Sequence, residues 1–544
     1  MPPNVAPTVI GWSDLDTAST RGAIQRSDAM LDEDLGVFGS FPWRVGDAFQ
    51  GTQIFGGTGS GKTTGSGAAI ACALLRSGFG GLVLTAKADD ATRWRSYAAR
   101  CGREADIVEI TPHNGAAFNI LDYEFRSGGN LTHNVVSLLV GAMTSGSDTT
   151  ASEPYWNEAL REMLIHTIDL AVLAGDAEPH LDSDHGTAAR TLSLSDLDRI
   201  IRSAPQTAAD VTSARWQRES YCWERLCQAD MASRAGLLPS SRVADLTSTT
   251  SYWLQDFPNL SARTRSIIVS TFTAKVAGLL RWPLRELFFE GRDDRYSPQA
   301  SMRSTANGRR GKIIIVNVPV KTYGEIGRLA QILYKIAWTR TADRRSGLFG
   351  SPVLPDGDAS ASTDSSLSSP VFLWADESQY FITPEDMLFQ QTARSSRVAT
   401  IYLTQNIGNY KAAIGRGNEA SVYSLLGNLQ TKIFHTNGDP ATNKFAEETF
   451  GKDWLHVESR SVTSGDTVQD GKVSMSASRN SNQAMSYAEV VTTRDLTMLA
   501  SGGTRYKKRI AALVFQAGRN WTSGQGAKSP PTNVFHHNFE QYLD

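Results

Sequence analysis

The chain has 544 residues, of which 40% are hydrophobic and 20% are charged, with a formal net charge of −2. This mix is typical of a globular protein with more than one domain, and it excludes a globally basic nucleic-acid-binding chain, so any contact with a polyanion must be local. Four cysteines are too few for a disulfide scaffold and indicate a reducing compartment.

The first part of the chain alternates between strands and helices. Residues 1–45 show little periodicity and are predicted to form an irregular lead-in. Residues 46–130 are predicted to form the first part of an α/β domain, because this alternation is typical of a parallel sheet covered by helices. The predicted elements are strand 52–55, helix 63–78, strand 81–86, helix 90–102 and strand 105–110.

Residues 131–300 change to helical periodicity and are predicted to form an inserted all-α domain. The clearest helical stretches are residues 155–175, 194–204 and 264–289. No run in the chain reaches the ~20 apolar residues that a membrane-spanning helix needs, and the amino-terminal sequence lacks the pattern of a signal peptide. We therefore expect no transmembrane segment in this chain.

The α/β pattern returns over residues 301–521, the second part of the same domain. A long amphipathic helix follows its first strand, with Ile326, Leu329, Leu333 and Ile336 predicted on one apolar face. The predicted strands of this part are residues 311–319, which precede that helix, and residues 371–377, 398–405, 431–436 and 509–518. Three segments are predicted to be less regular: a surface loop at 350–370, a ragged hairpin at 457–488 and a disordered tail at 522–544.

Residues 56–63, GGTGSGKT, match the complete phosphate-binding loop pattern G-x-x-x-x-G-K-[ST] between a predicted strand and a predicted helix. Glycines let backbone N–H groups turn towards phosphates, and the helix N-terminus adds partial positive charge. Lys62 is predicted to reach the β and γ phosphates of ATP, and the Thr63 hydroxyl to bind Mg²⁺. The predicted nucleotide-binding residues are Gly56, Gly57, Thr58, Gly59, Ser60, Gly61, Lys62, Thr63 and Thr64.

Two acids, Asp376 and Glu377, end the predicted strand VFLWA. We predict that Asp376 holds Mg²⁺ and that Glu377 polarises the attacking water. This pair distinguishes ATP-hydrolysing motors from most switches and kinases. The alternative is a strand that ends in two solvated acids.

The next predicted strand, VATIYLTQ, ends in Gln405, which we predict to contact the γ-phosphate as a sensor; the alternative is a polar cap on the strand end. Arg394 and Arg397 lie between the acids and this strand. An arginine that reaches the nucleotide of a neighbouring subunit stabilises the charge of the transition state. Arg394 is the first candidate and Arg397 the second, and an ordinary surface arginine is the alternative.

Several motifs, in order, resemble those of the type IV coupling proteins of the TraG/TraD kind, the hexameric ATPases of conjugation and type IV secretion. The similarity covers residues 45–521 and is thin between 175 and 300. Arg394 stands where this family has its arginine finger. The matching segments are TAKADD (85–90), FNILD (118–122), YWNEALREML (155–164), WADES (374–378), ARSSRVATIYLTQN (393–406) and LLGNLQTKIFHTNGDPATNKFAEETFG (425–451).

The resemblance implies a RecA-like P-loop NTPase domain with a mostly parallel sheet, interrupted by an all-α domain. The implied function is an ATP-hydrolysing DNA translocase that couples DNA or a nucleoprotein to a type IV secretion or conjugation channel. The implied partners are single- or double-stranded DNA, a relaxase-type protein substrate, channel components and further copies of the chain in a homo-hexamer.

The sequence departs from the family pattern at three points. Thr85 replaces the usual aspartate of the lysine-and-acid segment, and Ile120 replaces the proline of the FNILD turn. The usual N-terminal membrane anchor is also missing from this chain. We therefore expect a cytoplasmic protein, or one bound peripherally at the inner face of the cell membrane through a separate anchor subunit.

Two further functions stay open from the sequence. One is a FtsK/HerA-like DNA pump or the secretion-channel ATPase itself, although the FNILD turn and the helical insertion argue against the pump. The other is a nucleotide-binding scaffold whose hydrolysis only regulates assembly, which the presence of Glu377 argues against.

Overall fold

The protein is described by a computed structural model. The described residues are 30–144, 153–181, 192–291, 293–304, 310–350, 366–414, 419–469, 472–521 and 532–542.

The strands of the described residues form one large sheet and one hairpin. The large sheet has nine strands in the order β11-β10-β7-β1-β6-β5-β2-β4-β3, and β8 pairs only with β9. The strands from β7 to β3 in this order are parallel to one another. At the other edge, β10 pairs antiparallel with β7, and β11 pairs antiparallel with β10. The strands are β1 Thr52–Phe55, β2 Gly80–Leu84, β3 Ile107–Ile110, β4 Ile313–Val316, β5 Val371–Ala375, β6 Val398–Thr404, β7 Thr431–Phe434, β8 Lys452–Gln469, β9 Lys472–Glu489, β10 Arg509–Gln516 and β11 Phe535–Glu540.

Helices cover both faces of this sheet, so most side chains of the central strands are buried on either side. The α-helices are Val45–Ala48, Ala68–Arg76, Asp90–Arg100, Ile120–Ser127, Thr132–Thr144, Glu153–Leu181, Leu194–Arg202, Ala208–Val211, Ala214–Glu219, Tyr221–Arg234, Ser240–Ser251, Phe257–Asn259, Ala262–Val276, Leu284–Phe289, Val320–Arg344, Gly347–Gly350, Pro384–Thr392, Ile407–Ile414, Glu419–Asn428, Pro440–Phe450 and Thr493–Thr497. The π-helical turns are Thr63–Gly67 and Tyr252–Asp256, and the 3-10 turns are Glu104–Asp106, Asp294–Tyr296, Pro298–Ser301, Ser378–Tyr380 and Thr504–Tyr506.

The predicted fold class is confirmed: a mostly parallel sheet is interrupted by a helical region. Every described secondary-structure element between β3 and β4 is helical. The long helix Glu153–Leu181 lies at the centre of this region, because it packs against the helices Thr132–Thr144, Tyr221–Arg234 and Ser240–Ser251. None of the described helices is both long and apolar enough to cross a membrane.

Two helices differ from the sequence-based expectation. The stretch 264–289 forms two helices, because Pro283 lacks an N–H group and its ring excludes a continuous helix. In the helix Val320–Arg344, Leu329, Leu333 and Ile336 are buried as predicted, but Ile326 is 37% exposed. Ile326 lies in the first turn after Gly324, whose φ of 61° breaks the helix, so it stands at the end of the face that Leu329, Leu333 and Ile336 share.

The prediction that residues 522–544 form a disordered tail is wrong for residues 535–540. They form β11, which pairs antiparallel with β10. Phe535 stacks on Trp521 with ring centroids 4.9 Å apart, and Phe539 is buried against the lead-in residue Phe38. Backbone pairing with β10, together with these aromatic contacts, offsets the conformational entropy of ordering this segment.

The remaining irregular segments agree only in part with expectation. The predicted hairpin is regular and longer than expected, since β8 and β9 pair from Lys452↔Glu489 to Gln469↔Lys472. Residues 32–44 form turns and isolated bridges, with Trp43 fully buried. The described residues do not include most of the predicted loop at 350–370, the start of the lead-in or residues 522–531.

Candidate active site

The phosphate-binding loop connects β1 to a helix at the carboxyl edge of the sheet. Gly59 and Gly61 have φ angles of +74° and +83°, which side-chain-bearing residues rarely adopt. A Cβ atom on Gly61 would also lie 2.5 Å from Ile510 Cδ1, so glycine is required there on two grounds. The loop then leads through the π-helical turn Thr63–Gly67 into the helix Ala68–Arg76, whose N-terminal end faces the loop.

A hydroxyl and a carboxylate meet where the loop enters its helix. β5 lies beside β6, and β6 lies beside β1, so the carboxyl ends of β1 and β5 share one edge. At this edge the Thr63 hydroxyl donates a 2.8 Å hydrogen bond to Asp376 Oδ2. Oxygen ligands of this kind are those that Mg²⁺ prefers, and Asp376 Oδ1 is fixed by a 2.9 Å hydrogen bond from the Glu377 backbone N–H. The pair therefore fits a Mg²⁺ site.

Glu377 is held in a strained backbone conformation and contacted from four sides. Its φ of 52° and ψ of 49° are left-handed, which is uncommon for a non-glycine residue and concentrated at functional sites. Oε1 lies 3.5 Å from Lys62 Nζ and 3.4 Å from Lys87 Nζ. The amide nitrogens of Gln405 and Gln379 donate to the carboxylate at 3.2 Å and 3.1 Å.

These contacts keep the buried Glu377 carboxylate charged. Burial alone would raise its pKa, but the Lys62 ammonium, the hydrogen bonds from Gln379 and Gln405, and the Lys87 charge together hold the pKa below its usual value. Glu377 is therefore ionised at neutral pH, which is the state that a group orienting or deprotonating water needs.

Gln405 connects the loop to the acidic strand. It follows β6 directly, and its side-chain amide donates to Glu377 while its carbonyl oxygen accepts a 3.4 Å hydrogen bond from the Thr58 hydroxyl. Its backbone carbonyl is fixed by a 2.8 Å hydrogen bond from Asn437 Nδ2. The Gln405 side chain thus lies between the phosphate loop and Glu377.

Three further side chains belong to this site but were not proposed for it from the sequence. Lys87 belongs to the lysine-and-acid segment TAKADD, and Gln379 carries no sequence signal beyond its nearness to Glu377. His435 follows β7, so its place at the same sheet edge was available from the strand pattern. Its Nε2 lies 2.7 Å from the Ser66 hydroxyl and its Nδ1 lies 3.2 Å from the Ala511 carbonyl oxygen.

The environment of His435 fixes its protonation. Burial, the largest effect, and the nearby Lys62 charge together lower its pKa to about 4, against the opposing effect of the Ala511 carbonyl. The imidazole is therefore neutral at pH 7. Because a carbonyl can only accept, Nδ1 carries the proton, and Nε2 accepts from the Ser66 hydroxyl behind the phosphate loop.

The structure does not bring Arg394 to the site of its own chain. Arg394 is exposed in the turn that precedes β6, and the site lies past the other end of that strand, at Gln405. A residue that acts on a neighbouring subunit has to be exposed in this way. Arg397, the second candidate, is buried with its guanidinium 4.3 Å from the centre of the Phe349 ring, so it serves the chain's own packing.

Two cavities with shared lining residues open at this edge. A cavity of about 240 Å³ is lined by the phosphate loop together with Lys87, Arg93, Glu377 and Gln405. A cleft of about 860 Å³ lies next to it and shares Lys87, Glu377, Gln405 and Thr58 with it. The first cavity therefore brings the lysine and hydroxyls of the phosphate loop together with the Glu377 carboxylate.

Known proteins resemble this chain in two ways: in the sequence of its second α/β part and in its overall fold. Residues 370–500 match the family described as the TraM recognition site of TraD and TraG. The resemblance to the type IV coupling proteins is confirmed. The matched segment contains Asp376, Glu377, Arg394 and Gln405 and the hairpin of β8 and β9. Comparison with curated proteins found no match.

Among solved structures, the plasmid coupling protein TrwB has the same fold. TrwB in complex with ADP and Mg²⁺ superposes with a TM-score of 0.51 at 13% identity, covering 96% of this chain and 92% of that chain. TrwB in complex with the non-hydrolysable GTP analogue GDPNP gives 0.50 at 12% identity, covering 96% and 94%. The trigonal TrwBdeltaN70 form in complex with sulphate gives 0.50 at 13% identity, covering 96% and 92%.

Proposed function

We propose that this protein is an ATP-hydrolysing motor that couples DNA or a nucleoprotein to a type IV secretion or conjugation channel. The observation that carries the proposal is the arrangement of Glu377, which Lys62 of the phosphate loop and Gln405 of the next strand both contact at 3.5 Å or less. The match to the TraG/TraD family and the fold shared with TrwB support the coupling role over the other motor functions.

Within one chain, different residues bind the phosphates, hold Mg²⁺ and activate the attacking water. Lys62 and the loop N–H groups bind the β and γ phosphates of ATP, and Thr63 and Asp376 hold Mg²⁺, which neutralises phosphate charge when bound. The phosphates compete with Glu377 for the Lys62 ammonium. Glu377 is then able to orient the attacking water and accept its proton, while Gln405 contacts the γ-phosphate and reports its loss.

The neighbouring subunit completes the site. Arg394 is exposed and acts in trans on the γ-phosphate of the adjacent chain, which requires a ring, and the coupling-protein resemblance favours a homo-hexamer. The ring is proposed to bind peripherally at the inner face of the membrane through a separate anchor subunit and to contact channel components. A relaxase-type protein bound to DNA is the proposed cargo.

A DNA-stimulated ATPase assay tests this proposal. The full chain is assayed with Mg²⁺ and ATP, with and without single- and double-stranded DNA. Glu377→Gln is expected to bind ATP but to lose hydrolysis, and Glu104→Gln, which changes an exposed glutamate of the turn Glu104–Asp106, is the matched control. An ATPase rate that no DNA changes, together with DNA transfer that survives Glu377→Gln, would support the assembly scaffold instead.

A further inference from the structure

The larger cleft beside the hydrolysis site is built from both parts of the fold. Its volume is about 860 Å³. Lys87 reaches it from the loop after β2, and Lys321 from the first turn of the helix that follows β4. Lys275 reaches it from the helix Ala262–Val276 of the helical region. The cleft therefore joins the edge of the sheet to the helical region.

The outer part of this cleft is positively charged. The acids that line it have partners, since Glu325 pairs with Arg328 at 2.8 Å and Glu377 is held by the lysines described above. Among the described residues, Lys275 and Lys321 have no carboxylate within ion-pair distance. An excess of positive charge here contrasts with the whole chain, whose net charge is −2, and it attracts a polyanion locally.

An aromatic ring lies among these cations. Tyr380 is half-buried in the cleft wall, and Lys321 Nζ lies 5.3 Å from the centre of its ring. Its backbone carbonyl accepts a 2.8 Å hydrogen bond from Arg328 Nε, so the residue is fixed in place. A groove that combines lysines with an aromatic side chain binds single-stranded nucleic acid, because phosphates pair with the cations and a base stacks on the ring.

We propose that this cleft holds the backbone of single-stranded nucleic acid, with Lys275 and Lys321 at its phosphates and Tyr380 against a base. The inference rests on the proposed motor function, since it names where the nucleic acid would be held. Lys87 and Glu377 line both this cleft and the cavity of the phosphate loop. A nucleic-acid strand in the cleft therefore lies next to the lysines that contact Glu377. This closeness couples DNA binding to ATP hydrolysis.

The test measures the salt dependence of DNA binding by the full chain, using a fluorescein-labelled oligothymidylate and fluorescence anisotropy. Each phosphate contact contributes about 0.7 to the slope of log K against log salt for single strands. The double variant Lys275→Ala/Lys321→Ala is expected to lower this slope by about 1.4 and to weaken binding at low salt by about tenfold. Lys275→Arg/Lys321→Arg should retain the wild-type slope.

Two controls separate phosphate contacts from other effects. Lys444→Ala removes an exposed lysine on the helix Pro440–Phe450, outside the cleft, and should leave both affinity and slope unchanged. Tyr380→Ala should weaken binding with the slope unchanged, whereas Tyr380→Phe keeps the ring and should bind as the wild type does. Binding of a fluorescent ADP analogue and the thermal melting temperature show that each variant is folded.

The outcomes distinguish the cleft from the function on which it rests. If the wild type binds the oligonucleotide and the double lysine variant keeps its affinity and slope, the cleft inference is overturned and the motor function stands. If the wild type binds no DNA and its ATPase is not stimulated, the motor function itself fails. If the double variant loses its oligomeric state by light scattering while its salt slope is unchanged, the cleft is a subunit interface and the inference is wrong.

Discussion

Thr63 and Asp376 are 313 residues apart in the chain, yet the Thr63 hydroxyl donates a 2.8 Å hydrogen bond to the Asp376 carboxylate. The contact exists because β1 and β5 both flank β6 and end at the same edge of the sheet. It brings together the two oxygen groups of the proposed Mg²⁺ site from distant parts of the sequence.

We expect Thr63→Ala to remove the dependence of nucleotide affinity on Mg²⁺. The variant loses one oxygen of the proposed site, and its ATPase rate should fall by about a hundredfold. Thr63→Ser keeps the hydroxyl and is the matched control. The measurement is titration of a fluorescent ATP analogue with and without Mg²⁺. Equal Mg²⁺ dependence in the alanine variant and the wild type would show that Thr63 does not hold the ion.

Lys87→Ala is expected to shift the acid side of the ATPase pH profile. The Lys87 charge is one of the effects that hold the pKa of Glu377 below its usual value, so removing it raises that pKa. The carboxylate then becomes protonated at a higher pH, and kcat/KM should fall at a higher pH in the variant than in the wild type. Lys444→Ala is the matched control. If the acid sides of the ATPase pH profiles of Lys87→Ala and the wild type coincide, this contradicts the assigned contact between Lys87 and Glu377.

The sequence predicted those parts of the site that depend on local pattern. The phosphate loop is contiguous, and Asp376, Glu377 and Gln405 each end an apolar run that is recognisable as a buried strand. The contact between Lys87 and Glu377 could not be predicted in the same way, because it depends on β2 lying beside β5. Sheet order is set by packing of the whole chain and not by any one segment.

Errors in the predicted fold have the same origin. Ile326 fits the apolar period of its helix, but the backbone break at Gly324 places it in an end turn, where it is only partly covered. The strand Phe535–Glu540 follows a polar stretch, and its own pattern is weak without β10 beside it. In both places a tertiary contact or a single backbone angle overrides the local signal.

The buried His435 makes the stability of the protein depend on pH. Its folded-state pKa of about 4 lies below the ordinary value of 6.5, so the unfolded chain binds the proton first. The stabilising contribution is fully present above pH 6.5 and is lost as the pH falls towards 4, by an amount on the order of 3 kcal/mol. Thermal melting from pH 7.5 to 5 should show a fall in melting temperature.

His435→Asn removes the titrating group and should melt at a lower temperature at pH 7.5 but with a smaller loss between pH 7.5 and 5 than the wild type. The exposed His536 of β11 provides the control, since its side chain faces solvent. His536→Asn should keep the wild-type pH dependence. If His435→Asn loses as much melting temperature as the wild type over this range, another group causes the acid instability.

Arg394 and Arg397 are expected to behave differently when each is changed to alanine. Arg394→Ala should keep ATP binding and lose hydrolysis on the order of a thousandfold, because an arginine in trans stabilises charge that develops only in the transition state. Arg397→Ala should lower the melting temperature, because its guanidinium packs on Phe349. ATP-analogue affinity, ATPase rate and melting temperature are measured for both. Normal turnover by Arg394→Ala would remove it from the mechanism.

Mixing two inactive variants distinguishes action in trans from a structural effect of Arg394. A subunit with Arg394→Ala keeps Lys62 and Glu377, and a subunit with Glu377→Gln keeps Arg394, so a mixed ring contains interfaces in which all three groups are intact. We therefore expect the mixture to hydrolyse ATP faster than either variant alone, by a factor that depends on the mixing ratio. Arg394→Ala mixed with a Lys62→Ala, Arg394→Ala subunit is the control, because no interface then contains the arginine. If the first mixture is as inactive as the control, Arg394 does not act across a subunit boundary.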